Sequence, residues 1–200
     1  MTTNAHITTS KGNNDECYTY RYTVEPLLEF IKPNSRIWCP FDKDDSEFVK
    51  VFREFGFDVV ATHIDNGQDF YQTEVKDCDY IISNPPFTNK KEIFKRLISF
   101  DKPFAILMTI LWLNDNAPFH LFKNIDLQLL MFNRCCEFKN QPTDKMINFK
   151  SAYYCRNFLP QQIMWRELNL KDNGQLKLLW GRKWKNIYAN ARPILLIVSA

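Results

Sequence analysis

Apolar and polar residues along this chain alternate between two periods. Within Asp44–Gly56, Phe48, Val49, Phe52 and Phe55 recur at helical spacing, acidic residues crowd the first turn, and Gly56 can close the helix. The same spacing predicts an amphipathic helix over Lys90–Phe100 and a shorter one over Tyr22–Ile31, which has a proline near its start. Between them lie brief runs rich in β-formers: Ser35–Phe41, stopped by Pro40, then Phe57–Ile64 and Asp77–Asn84. Pro103–Leu113 is continuously apolar, which predicts a central strand covered on both faces. Asp126–Phe132, Ser151–Phe158 and Arg192–Ser199 are further expected strands.

The first 113 residues therefore read as strands alternating with helices, the pattern of an α/β fold with a doubly wound, mostly parallel sheet and right-handed crossovers. The later strands have less helix between them and are expected to close the sheet in antiparallel fashion. With 200 residues, 45% of them hydrophobic, the chain has material for one domain. Residues 1–16 are polar with little to bury and are expected to be disordered. Residues 17–165 would form the folded domain, and 166–200 a basic, aromatic segment packed on it or completing it.

Charge sharpens the role of that last segment. Residues 1–150 carry 18 Lys+Arg against 21 Asp+Glu, whereas residues 151–200 carry 8 against 2. Leu176–Tyr188 interleaves Arg182, Lys183 and Lys185 with two tryptophans, a combination suited to a nucleic-acid backbone and unstacked bases. An amphipathic closing segment with buried tryptophans would have the same composition. The polar N-terminal stretch has no apolar leader, and no apolar run approaches the roughly 20 residues that span a bilayer, so a soluble cytoplasmic protein without a membrane partner is expected. Six cysteines without a CxxC spacing point to reduced thiols and to no metal site.

In a doubly wound sheet, ligands bind outside the carboxyl ends of the strands. The first strand is followed by Pro40, Phe41 and Asp42, and the second by His63, Ile64 and Asp65, with Asp69 and Phe70 close behind. The third is followed by Ser83, Asn84, Pro85, Pro86 and Phe87. Asn114 follows the fourth. Carboxylates at neighbouring strand ends suit ribose hydroxyls and an adenine amino group. They do not suit phosphate, and neither GxGxxG nor GxxxxGK[ST] occurs to cradle one. A nucleoside cofactor without a pyrophosphate fits this edge.

The stretch "SNPPF" resembles the [DNS]PP[YFW] signature of S-adenosylmethionine-dependent amino methyltransferases, above all the N6-adenine DNA methyltransferases and their small phage-encoded members. "YTYRYTVEPLLEFI" is similar to the family segment over the methionine end of the cofactor, which implicates Tyr20 and Tyr22. "RIWCPFDKDDSEF" stands where the family has D-P-F-x-G-x-G, placing Pro40, Phe41 and Asp42 at the cofactor, although this stretch contains no glycine. "GQDFY" resembles the stretch that meets the cofactor's adenine, implicating Asp69 and Phe70, with Asp65 toward the ribose. "INFKSAYYCRNFLP" is similar to the motif that gives an aromatic face to a flipped base, implicating Phe149, Tyr153 and Tyr154. The resemblance implies a Rossmann-like class I methyltransferase fold, S-adenosylmethionine as cofactor, and DNA as partner, either double-stranded with base flipping or single-stranded. The host cytoplasm would be its location if it is phage-encoded.

The chemistry of the corner agrees with that resemblance. The Asn84 side-chain oxygen and the Pro85 carbonyl are two acceptors at a separation that locked proline φ angles keep fixed. Together they can take both N–H bonds of an amino group, while Phe87 offers a stacking face. A duplex base reaches such a pocket only when extruded. The Asn-Pro-Pro-Phe corner also serves glutamine-methylating and RNA-methylating relatives. The glycine-free first motif would equally suit a binding protein that kept the fold and lost turnover.

Overall fold

The computed structural model describes residues 18–139 and 150–168. Four α-helices and seven strands run through them. Arg21–Val24 (α1) runs into a 3-10 segment at Glu25–Phe30, so the predicted first helix is real but tightens at its proline. β1 is Arg36–Cys39, α2 Glu47–Glu54, β2 Asp58–Ala61, β3 Tyr80–Ser83 and α3 Lys90–Ser99. β4 is Phe104–Thr109, α4 Asn116–Phe122, β5 Gln128–Phe132, β6 Ser151–Arg156 and β7 Ile163–Arg166.

The sheet has the order β2-β1-β3-β4-β6-β5-β7. β1, β2, β3 and β4 are mutually parallel, and β6 runs antiparallel to both β4 and β5. β7 is parallel to β5 at the edge. The expected Rossmann-like, doubly wound, mostly parallel sheet with a late antiparallel strand is thus what the chain forms. The strand order reverses direction between β1 and β3, which is the point where such sheets open a crevice.

Helices cover both faces, and consecutive residues of β6 show it. Successive side chains on a strand point to opposite faces. Tyr153 packs against Phe48 of α2 and Phe132, whereas Tyr154 packs against Phe94 of α3, Trp112 and Phe122 of α4. Each tyrosine fills the core of one layer. α1 packs on α2, and α3 on α4, as two separate helical layers. Within β1, Trp38 is fully buried and its Nε1 donates to Thr62 Oγ1 at 2.9 Å, which ties β1 to the exit of β2.

Two elements differ from the sequence reading. The apolar run Pro103–Leu113 leaves the sheet at Thr109 and coils into a 3-10 segment over Ile110–Asn114. Thr109 pairs with Ser151, and the Ile110 N–H still donates to the Lys150 carbonyl at 2.7 Å as the chain turns into the 3-10 segment. β7 was not expected. It lies on the sheet edge with Ile163 and Trp165 exposed, so it lacks the buried face that makes a strand legible. β7 ends at Arg166, one residue into the segment expected to pack on or complete the domain. The expected strand Arg192–Ser199 lies outside the described residues.

Candidate active site

The ends of β1 and β3 converge at the reversal of strand order. The chain leaves β1 through Pro40, Phe41 and Asp42, and leaves β3 through Asn84, Pro85 and Pro86. These six residues line one cleft of about 620 Å³, together with Asp69 and Phe70. Most of the residues singled out at strand ends are therefore brought together, although they come from three separate parts of the chain.

Ser83 joins the two strand ends. Its hydroxyl donates to Asp42 Oδ2 and accepts from the Phe41 backbone N–H at 3.3 Å. Asp42 is 6% exposed, and burial pushes its carboxyl up to about 6, against hydrogen bonds from Ser83 and Ser46 that favour the charged form. The hydrogen bonds that lower the carboxyl of this cleft-wall acid come from two serine hydroxyls. The loop after β1 contains no glycine. Ser46 caps α2 by accepting from the Val49 N–H at 3.3 Å, and Glu47 opens the helix beside the cleft.

On the β2 side, Ile64–Asn66 forms a 3-10 turn that Gly67 ends with a φ of 72°, a conformation suited to glycine. His63 Nδ1 accepts the Asp65 N–H at 3.1 Å, so the imidazole is a buried turn cap on the cleft wall. Asp69 Oδ1 accepts from the Tyr71 N–H at 2.9 Å. Phe70 is buried, with its ring 4.6 Å from that of Phe41. Arg96 of α3 holds this loop, donating to the carbonyls of Phe70 at 2.9 Å and Thr73 at 2.8 Å while its guanidinium lies over the Phe100 ring. No local sequence signal marks Arg96 for that task.

Several expected site residues lie elsewhere. Asp65 is an exposed partner of Lys43, which holds its carboxyl below the ordinary value; Lys43 rather than Asp65 lines the cleft. Tyr20 and Tyr22 stack on each other at 5.5 Å, and the cleft is lined instead by their neighbours Tyr18 and Thr19. Phe87 is 8% exposed and packs edge-on against Phe138 at 6.1 Å, so its ring is a buried support and not an open stacking face. Tyr153 and Tyr154 are wholly buried, with hydroxyls donating to the carbonyls of Thr23 at 3.1 Å and Thr109 at 2.9 Å. They are core residues, because a central strand covered by helices on both faces has no free side. Asn114 sits at the end of the 3-10 segment after β4 and does not line this cleft. Phe149, Arg182, Lys183 and Lys185 lie outside the described residues.

The sequence reading missed Thr19 and Lys139. Thr19 Oγ1 accepts from Asn84 Nδ2 at 3.1 Å, and Lys139 Nζ donates to Glu47 Oε1 at 2.6 Å. Among the described residues no three metal-ligating side chains cluster, and no helix is long and apolar enough to cross a membrane.

No protein-family model and no curated protein matches this chain. Among solved structures, it is similar to a protein of Listeria monocytogenes described as a "putative class I S-adenosylmethionine-dependent methyltransferase". The likeness has 13% identity and a TM-score of 0.44, and covers 83% of this chain and 69% of that one.

Proposed function

We propose that this protein transfers a methyl group from S-adenosylmethionine to the N6 amino group of adenine in DNA, the base being extruded or already unpaired. One observation carries the reading: the Asn84-Pro85-Pro86 corner ends β3 at the reversal of strand order, in one cleft with the buried acid Asp42 and with Asp69 and Phe70. An amide and two prolines at a strand end make a common turn. Set opposite a buried anion and an aromatic wall, they make an acceptor site facing a site for a cationic nucleoside.

The residues present fit such a cofactor. Asp42 supplies a negative charge for its cationic end, Asp69 an acceptor for hydroxyl or amino donors, and the Phe41 and Phe70 rings an apolar wall. When bound, S-adenosylmethionine supplies an electrophilic methyl on a cationic sulfur.

The protein's own contribution lies in the corner. Asn84 Oδ1 and the Pro85 carbonyl accept the two N–H bonds of the amine, drawing its lone pair out of the ring and toward the methyl. Productive transfer needs nitrogen and methyl in line at roughly 3 Å, which rigid prolines favour because they cost no reorganisation. As the new N–C bond would form and the methyl–sulfur bond break, leaving a neutral thioether, positive charge would develop on nitrogen, and the same two oxygens would stabilise it until a proton leaves to water. No general base is required. The domain of residues 17–165 that houses this chemistry is extended by β7, and Arg182, Lys183 and Lys185 are assigned to the DNA backbone.

The test is incubation with tritiated S-adenosylmethionine and DNA, RNA or protein, comparing wild type with Asn84→Ala. Label should appear in adenine of DNA and fall at least about 100-fold in the variant, the scale on which loss of one transition-state acceptor acts. Label in RNA or glutamine alone would replace the acceptor in this reading. No label anywhere, with DNA binding intact, would replace it by a binding protein that does not turn over.

A further inference from the structure

Two chain segments far apart in sequence meet over the Asn84–Phe87 corner. Thr19 forms an antiparallel bridge with Phe138, and the Lys139 N–H donates to the Tyr18 carbonyl at 2.8 Å. Each segment holds one end of the corner. Thr19, itself 6% exposed, bonds the Asn84 amide, whose oxygen is buried. Phe138, 3% exposed, packs on the ring of Phe87. Lys139 then reaches across to Glu47 at the start of α2. The Asn84 side chain and the Phe87 ring at the two ends of the corner are thus both engaged by the protein's own chain. The other end of the cleft stays accessible: Ile64 and Tyr71 on its rim are 66% and 40% exposed.

We propose that Tyr18–Tyr20 and Cys136–Lys139 form a clasp that closes the acceptor end of the cleft and leaves the cofactor end open, Thr19 being the residue that locks Asn84. This inference rests on the methyltransferase reading. The cofactor enters without disturbing the clasp. The extruded base has to part Thr19 Oγ1 from Asn84 Nδ2 and Phe138 from Phe87, which lets the Asn84 amide turn toward the base and uncovers the Phe87 ring together. Acceptor entry therefore carries the cost of opening, and apparent acceptor affinity is lowered by the fraction of molecules that are open.

Thr19→Val removes the hydroxyl and keeps the shape, whereas Thr19→Ser keeps the hydroxyl. Loss of one neutral hydrogen bond shifts an equilibrium by roughly 2–10-fold. Thr19→Val should lower the acceptor KM by about that factor with cofactor affinity unchanged, and Thr19→Ser should behave as wild type. A lower kcat at unchanged KM in Thr19→Val would overturn the clasp and make Thr19 a positioning residue for Asn84. Cross-linking gives the converse. Oxidised Thr19→Cys/Phe138→Cys should bind the cofactor analogue sinefungin normally yet transfer no methyl until reduced; methylation by the oxidised form sinks the clasp and leaves the enzymatic reading intact. Hydrogen exchange at the Lys139 amide needs no turnover. It should accelerate on addition of a single-stranded adenine-containing oligonucleotide and not on addition of sinefungin. Unchanged exchange overturns the clasp, whereas a wild type that labels no acceptor overturns the enzymatic reading.

Discussion

Replacing Asp42 by asparagine separates stability from function at this site. Asp42 is 6% exposed and burial raises its carboxyl from 3.8 to about 6. Because the folded-state value lies above the unfolded one, the stability this group contributes is fully present below about pH 3.8 and is lost as pH rises through about 6. A difference of about two pH units corresponds to about 3 kcal/mol. Above pH 6, then, the native protein carries a buried anion at up to that cost. Asparagine does not ionise, and its oxygen still accepts from Ser83. Asp42→Asn should unfold no later than wild type at pH 4 and distinctly later at pH 8. For a domain of this size 1 kcal/mol moves Tm by about 2–4 °C, which sets an upper bound of roughly 10 °C on the gain. The new amide NH2 needs an acceptor and will reduce it. Thermal unfolding followed by far-UV circular dichroism at pH 4, 6 and 8 isolates Asp42, since every other titrating group is common to both proteins. On the proposed function, the same variant should bind S-adenosylmethionine at least about tenfold more weakly by calorimetry, because the cofactor's cationic end would lose its charge-assisted partner. A Tm difference that does not vary with pH, or a variant less stable than wild type at pH 8, would refute the electrostatic argument.

Trp38→Phe strands the buried Thr62 hydroxyl and leaves a void, so it should cost roughly 2–4 kcal/mol in urea unfolding; adding Thr62→Val should restore part of that, and strict additivity would show the bond to be inert. Phe94→Ala empties the centre of a cluster formed with Phe104, Trp112, Phe122 and Tyr154, and should cost roughly 3–5 kcal/mol by the same measurement. Tyr154→Phe should cost about 1 kcal/mol for the bond to the Thr109 carbonyl. It should leave acceptor KM unchanged; a clear rise in KM would return Tyr154 to the acceptor site.

Local pattern determined much of this protein. The helical spacing of Phe48, Val49 and Phe52 marks α2, and that of Ile93, Phe94 and Leu97 marks α3, because each helix must bury one stripe. Alternation of short β-runs with those helices determines a parallel sheet, and paired prolines at 85 and 86 end β3 since neither can donate to a ladder. From that alone, Pro40, Phe41, Asp42, Asp69, Phe70, Asn84, Pro85 and Pro86 fall at one edge, and the structure gathers all eight around one cleft.

What the sequence left undecided depends on contacts between distant segments. "SAYYC" alternates like any strand, and only the position of β6 between β4 and β5, under helices on both faces, sends Tyr153 and Tyr154 into opposite cores. The apolar run after Pro103 stops being strand at Thr109 and turns into a 3-10 segment that hydrophobicity alone does not mark. Phe87 looks like an open aromatic face until Phe138, some fifty residues away, covers it. Thr19 and Arg96 matter only through bonds to Asn84 and to the loop at Phe70, 65 and 26 residues distant. Burial periodicity is a property of each segment. Which residue covers which is settled by register and strand order, and these exist only in the folded chain.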